Sequence, residues 1–178
     1  MARTADPEQL TGEVIQLGTV TSVDHVAATC TVEIGELTTG DLPWLAPRAG
    51  GVKVWSPPSV GEQCGVLCPE GDLANGLVLL GIWSDANPPP SADPATVHLE
   101  FPDGAVIAYN HSTHALALTL PAGGSMAVDA PGGTTWTGDI ALTGKFTASD
   151  DVLARGISLK DHKHTGVSAG AAQTGTPV

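Results

Sequence analysis

The residues best placed to do chemistry in this 178-residue chain lie near its end, in Lys160-Asp161-His162-Lys163-His164-Thr165-Gly166. Imidazole nitrogens are good ligands for first-row transition metals. In extended backbone, side chains at i and i+2 leave the same face from Cα atoms ~6.7 Å apart, so His162 and His164 can converge on one ion. Two nitrogens alone make a poor site, and a bare H-x-H motif also reads as a solvated polar turn. Symmetry changes the reading. If three chains wind around one axis, two inward imidazoles from each supply six nitrogens, which is a closed octahedron. Zinc prefers four ligands, so such a cage points to iron, nickel or cobalt and leaves the choice among them open. With no free coordination position, neither substrate nor activated water reaches the metal, and its job is structural.

The other reactive side chains carry less. His111-Ser112-Thr113-His114 repeats at i, i+3, which sends the two imidazoles to opposite faces of an extended chain, so both read as surface residues. Cys30, Cys64 and Cys68 are odd in number and sit among apolar residues. The even spacing of Cys64 and Cys68 puts both sulfurs on one strand face, and all three read as buried free thiols. No Gly-x-Ser-x-Gly, His-Glu-x-x-His or phosphate loop occurs. A double-stranded β-helix metalloenzyme also uses H-x-H, but it needs a nearby carboxylate and a further His, and no acidic residue follows His164. The expectation is a protein that is not an enzyme.

The elements that must position the histidines are strands. Twenty-two Gly and 14 Pro interrupt a chain that is still 42% hydrophobic, too apolar for disorder and too broken for a helix bundle. Short apolar runs separated by turn residues predict strands at 14–23, 25–34, 52–55, 63–68 and 77–83. Five strands in so few residues fit a small closed OB-like barrel over 14–87, preceded by an N-terminal extension at 1–13. The run Pro88-Pro89-Pro90 cannot continue a ladder and marks a linker over 88–95. Trp44, Trp55 and Trp83 belong to the barrel. Aromatic residues on such a sheet can stack bases, but only Arg3, Arg48 and Lys53 are cationic before the linker, so core or subunit interface is the better reading. The whole chain carries 19 Asp+Glu against 7 Lys+Arg, a net charge of −12, which removes a broad basic face and with it nucleic acid as a partner. No run of eighteen apolar residues could span a bilayer as a helix. Residues 1–11 carry Asp6, Pro7 and Glu8 and have no apolar core behind a basic start, unlike a secretory signal, so the chain is expected to fold in the cytosol.

From residue 96 onward the character changes. Apolar residues alternate in short pieces: Val97, Leu99 and Phe101; Leu116, Leu118 and Leu120; Met126 and Val128; Ile140 and Leu142; Ile157 and Leu159. Turn residues separate the pieces every eight to a dozen positions. Each strand offers two or three apolar side chains, and the segment supplies no second apolar face to cover them within one chain. Three copies wound around a common axis would bury the alternating row, giving a trimeric intertwined β-helix over 96–178. A monomeric β-sandwich shares the turn spacing and remains the alternative. Trp136 fits either a plug on the axis or an exposed ring.

The succession of Gly18-Thr-Val20, Cys30-Thr-Val-Glu-Ile34, Leu42-Pro-Trp44, Val60-Gly-Glu-Gln63 and Gly76-Leu-Val-Leu-Leu-Gly81, then Thr/Gly-rich short strands, then His162-Lys-His164-Thr-Gly166, resembles the baseplate assembly protein V family. These are the central spikes of contractile-tailed phages of the P2 type and of R-type bacteriocins. The resemblance runs from about residue 12 to the end; the barrel motifs are individually loose, and its specificity lies in their combination with a C-terminal H-x-H.

The resemblance implies an all-β protein, an N-terminal OB-like barrel followed by a C-terminal intertwined trimeric β-helix needle. It implies one iron per trimer at the tip, with six His ligands, and the residues that carry over are His162 and His164 of each chain. The partners it implies are two sister chains, the baseplate hub and tail-tube proteins, and a Gram-negative outer membrane pierced mechanically when the sheath contracts. The location it implies is the baseplate tip of a virion or tailocin particle, assembled in the host cytoplasm. A second functional reading is an acidic trimeric binding module that recognises a protein or glycan at a cell surface.

Overall fold

Along β1 (Ile15–Asp24) the side chains of Gln16, Gly18 and Val20 turn inward while Ile15, Leu17 and Thr19 face out, the period-two pattern of a half-buried strand. The computed structural model describes residues 13–166 and 170, and its regular elements are strands and two short 3-10 turns. β1 pairs antiparallel with β2 (Thr29–Ile34) on one side and with β5 (Gln63–Leu67) on the other. β6 (Leu77–Ile82) adds to β5, while β3 (Leu37–Thr38) and β4 (Leu42–Pro43) share the far edge of β2. The chain leaving β4 closes the circuit, because Trp44 bridges Val78 in parallel and the Leu45 N–H donates to the Val78 carbonyl at 2.9 Å. Closure removes most of the free edge a small sheet would expose. The interior is filled by Val20, Cys30, Val32, Leu42, Cys64, Val66, Cys68 and Val78.

The expected strands at 14–23, 63–68 and 77–83 correspond to β1, β5 and β6. The expected strand at 25–34 begins only at Thr29. The Asp24 carboxylate accepts the N–H groups of Val26 and Ala27, and Ala28 has φ +56°, so residues 24–28 form the reversal between β1 and β2. Those two N–H groups, Ala27 first, hold the Asp24 carboxyl below the usual carboxylate value. The expected strand at 52–55 is absent. A single bridge joins Ala49 to Lys53, and Gly50-Gly51 and Pro57-Pro58 stop any longer ladder.

Gly18 shows why the barrel can curl so tightly. A Cβ on it would lie 2.5 Å from Val32 Cγ1 and 2.6 Å from the Glu33 carbonyl oxygen, closer than packed atoms approach. Gly18→Ala is expected to cost about 1–3 kcal/mol of barrel stability through overpacking, read as a lowered urea midpoint.

All three cysteines are free and buried, as their apolar surroundings indicate. Burial pushes the Cys64 thiol up to about 11 from 9.0, helped by the nearby Cys30 and Glu62. A raised folded pKa stabilises fully below pH 9 and is lost as pH rises toward 11. The barrel is therefore expected to keep its urea midpoint to about pH 8 and lose it progressively above pH 9. A thiol reagent at neutral pH should label the cysteines only in denaturant.

β7 (Thr96–Glu100), β8 (Val106–Asn110) and β9 (Ala115–Thr119) form a second, three-stranded antiparallel sheet. Pro102-Asp103-Gly104 makes the first turn, with the Asp103 carboxylate accepting the Ala105 N–H at 3.0 Å. One face carries the cross-strand rows Val97, Tyr109, Leu116 and Leu99, Ile107, Leu118, and all six side chains are exposed.

The chain divides into two compact units, one ending at Met126 and one beginning at Ala127. In the second unit, residues 127–150 contain no strand, and the one backbone hydrogen bond among them runs from the Gly133 N–H to the Ala130 carbonyl. The apolar pairs Met126/Val128 and Ile140/Leu142 are exposed and lie outside any strand of the single chain. Among the described residues, none after Val78 is buried. Trp136 is an exposed ring in the single chain.

Candidate functional site

The C-terminal histidines are presented by a two-residue hairpin. β10 (Leu153–Ala154) pairs antiparallel with β11 (Ile157–Ser158), and the connecting Arg155 and Gly156 have φ +51° and +80°. Positive φ at both central positions is the signature of the type I′ turn, whose twist matches the flanking strands. Gly tolerates that conformation without cost, and Arg155 accepts it because the hairpin holds it.

Asp151 clamps the open end of this hairpin. Its Oδ1 accepts the Val152 N–H at 2.8 Å and the Lys160 N–H at 3.1 Å, and the Leu159 N–H reaches the Val152 carbonyl at 2.9 Å. The Ser158 hydroxyl foremost, then the Lys160 and Val152 N–H groups, hold the Asp151 carboxyl below its usual value of 3.8. A depressed carboxylate pKa stabilises above that usual value, so this clamp is lost as pH falls below it. The Asp161 N–H donates to Ser158 Oγ at 2.8 Å, which fixes the direction in which the chain leaves β11.

Immediately beyond, the rings of His162 and His164 lie 5.1 Å apart between centroids at an interplanar angle of 86°. Two imidazoles bound to one ion at ~2.1 Å metal–nitrogen distance would place their ring centres roughly 4.6 Å apart at an octahedral angle and about 5.3 Å at a tetrahedral one, and the observed separation falls between these. His162 Nδ1 lies 3.1 Å from the Leu159 carbonyl oxygen. A carbonyl can only accept, so the Nδ1–H tautomer of the neutral ring is the one that makes this bond, and in that tautomer Nε2 is the nitrogen that can ligate. Both side chains are exposed. No group of three or more His, Cys, Asp or Glu among the described residues could hold a metal within one chain.

The remaining histidines play no part in this pair. His111 and His114 sit in the β8–β9 turn, where Asn110 Oδ1 accepts the N–H groups of Ser112 and Thr113 and His114 has φ +58°. Both are exposed. The residues the motif did not reveal are Asp151 and Ser158, which orient the histidine segment through its backbone. The one sequence signal for them is Arg155-Gly156, a two-residue turn that brings 151 and 160 together.

Residues 16–83 match the Type VI secretion system/phage-baseplate injector OB domain, and residues 156–178 match the GpV Apex motif. The spike protein of Escherichia phage P2 is 33% identical over 201 aligned positions, covering 92% of this chain and 92% of that protein. The chain belongs to the baseplate spike family. The matched OB domain spans β1 to β6 of this spike, and the apex match contains Gly156 of the hairpin turn, β11 and both His162 and His164. As a baseplate spike it is a component of a phage tail and associates with other baseplate components. No helix among the described residues is long and apolar enough to cross a membrane.

Proposed function

We propose that this spike works as a homotrimeric needle that is driven mechanically through the outer membrane of a Gram-negative host when the tail sheath contracts. One observation carries the reading: no described residue after Val78 is buried, although apolar side chains recur from Val97 to Leu159. Burying a Val, Leu, Ile, Phe or Met side chain contributes about 1.5–3 kcal/mol, so leaving this whole series in water would forgo most of what could stabilise half the chain. The nearly bond-free backbone of 127–150 points the same way, because peptide groups removed from water need partners. Two sister chains wound around the same axis supply both the apolar cover and the ladder hydrogen bonds.

At the tip, His162 and His164 of three chains would hold one iron, with Asp151 and Ser158 orienting each pair. Bound there, the ion supplies a cross-link of three chains with no open position for substrate, so the spike acts without catalysis. The Escherichia host of the similar P2 spike supports a Gram-negative target. The acidic barrel would be seated on the hub beneath the tail tube, and its charge disfavours anionic lipid and nucleic acid.

Amide hydrogen exchange tests the needle. Residues 127–150 of the full-length protein are expected to exchange orders of magnitude more slowly than free peptide, as interchain ladder amides do. Exchange at free-peptide rates through that stretch would contradict the intertwined needle.

A further inference from the structure

We propose that the loop between β4 and β5 is a docking hairpin by which each barrel grips the next barrel of the trimer. The inference rests on the trimer reading above. Within 14–87 the chain has eight Asp and Glu but only two Lys and Arg, and these two, Arg48 and Lys53, both lie exposed on this loop. The loop is built. The Gly50 N–H donates to the Val52 carbonyl at 3.1 Å, the Val54 N–H donates to the Arg48 carbonyl at 2.9 Å, and Ala49 bridges Lys53. The two cations thus flank a tight turn at Gly50-Gly51. At its base Trp55 packs on Trp44, with ring centroids 5.6 Å apart, and Pro58 is buried.

Trp55 is nonetheless 61% exposed, with Val52 and Val54 exposed beside it. A Trp with Arg and aliphatic side chains on the same loop is the composition of residues that dominate protein interfaces. Neither ion pair among the described residues engages Arg48 or Lys53.

A complementary surface exists on the same chain. β3 is the outer strand of its sheet, and it presents exposed Leu37 among the exposed carboxylates of Glu33, Glu36 and Asp41. A three-fold ring needs such a pair of unlike patches, because the surface of one copy meets a different surface of the next. Three acidic barrels tethered by their needles repel one another. Hairpin against edge is the contact where opposite charges meet, and it covers Trp55, Leu37 and the unpaired backbone of β3 together.

A carbodiimide joins an amine to a carboxylate only where the two already touch, and it can be applied to the full-length protein. Two- and three-chain products are expected on a denaturing gel, with mass spectrometry placing Lys53 on Glu33, Glu36 or Asp41. Lys53→Arg keeps the charge but offers no such amine, and the linkages to Glu33, Glu36 or Asp41 should vanish, whatever products the needle lysines Lys145, Lys160 and Lys163 form. A wild-type protein of three-chain mass in which Lys53 forms no interchain linkage overturns the docking contact and leaves the trimer standing. A wild-type protein of single-chain mass overturns the trimer, and the docking contact with it.

Discussion

On the proposed iron-bound trimeric tip, replacing His162 by Ala in the full-length spike is expected to remove the metal while leaving the three chains together. Elemental analysis should find one iron per three chains in the wild type and less than about a tenth of that in His162→Ala, since three of six ligands leave at once and the remaining three cannot close the shell. His111→Ala, in the β8–β9 turn, should leave the iron content unchanged. The proposed trimer should persist in this variant, because its apolar cover would come from the series Val97 to Leu159, which is largely exposed in the single chain, and not from His162 and His164. Structural metal sites in small domains contribute on the order of 10 kcal/mol, so the loss should also appear as a lowered unfolding temperature of the needle. Unchanged iron in His162→Ala would contradict the tip assignment.

Leu142→Asp should abolish assembly. In the single chain Leu142 is 59% exposed and Ile140 70% exposed, and substitution at such a surface position is worth within ±0.5 kcal/mol or so. In the wound needle the same change acts three times. Each copy gives up about 1.5–3 kcal/mol of apolar burial and adds a buried carboxylate that costs several kcal/mol more unless it is neutralised. The two readings therefore differ in kind. A monomeric fold predicts an unaltered protein, and the trimeric needle predicts single chains by light scattering with an intact barrel by urea denaturation. Ile140→Asp should behave likewise.

The parts of this fold legible from sequence are those with local, periodic causes. β1 and β6 alternate inside and outside over six or more residues, β5 is a short apolar run bounded by turn residues, and Pro102-Asp103-Gly104 announces its turn. β3 and β4 are two residues each and carry no period; their position follows from what β2 leaves unpaired and from the closure of Trp44 onto Val78. β8 carries no period-two signal, because Val106-Ile107-Ala108-Tyr109 is a continuous apolar run. Val52, Val54 and Trp55 have strand-like composition, yet glycines before them and prolines after them make them part of a hairpin loop.

The candidate site divides the same way. The proximity of His162 and His164 follows from i, i+2 spacing, and the rings are neighbours at 5.1 Å. The Asp151 clamp does not follow from spacing. Its partner Lys160 is nine residues away, and only the reversal at Arg155-Gly156 brings the two together. The apolar residues between Val97 and Leu159 are legible as unsatisfied, and the structure of one chain leaves them so.

The central claim is that these apolar side chains find cover only against two sister chains, and the molar mass of the full-length protein in dilute solution tests it most directly. Light scattering on the eluting protein should return three times the 18.0 kDa chain mass, independent of dilution over the accessible range. A folded species at 18.0 kDa would contradict the account.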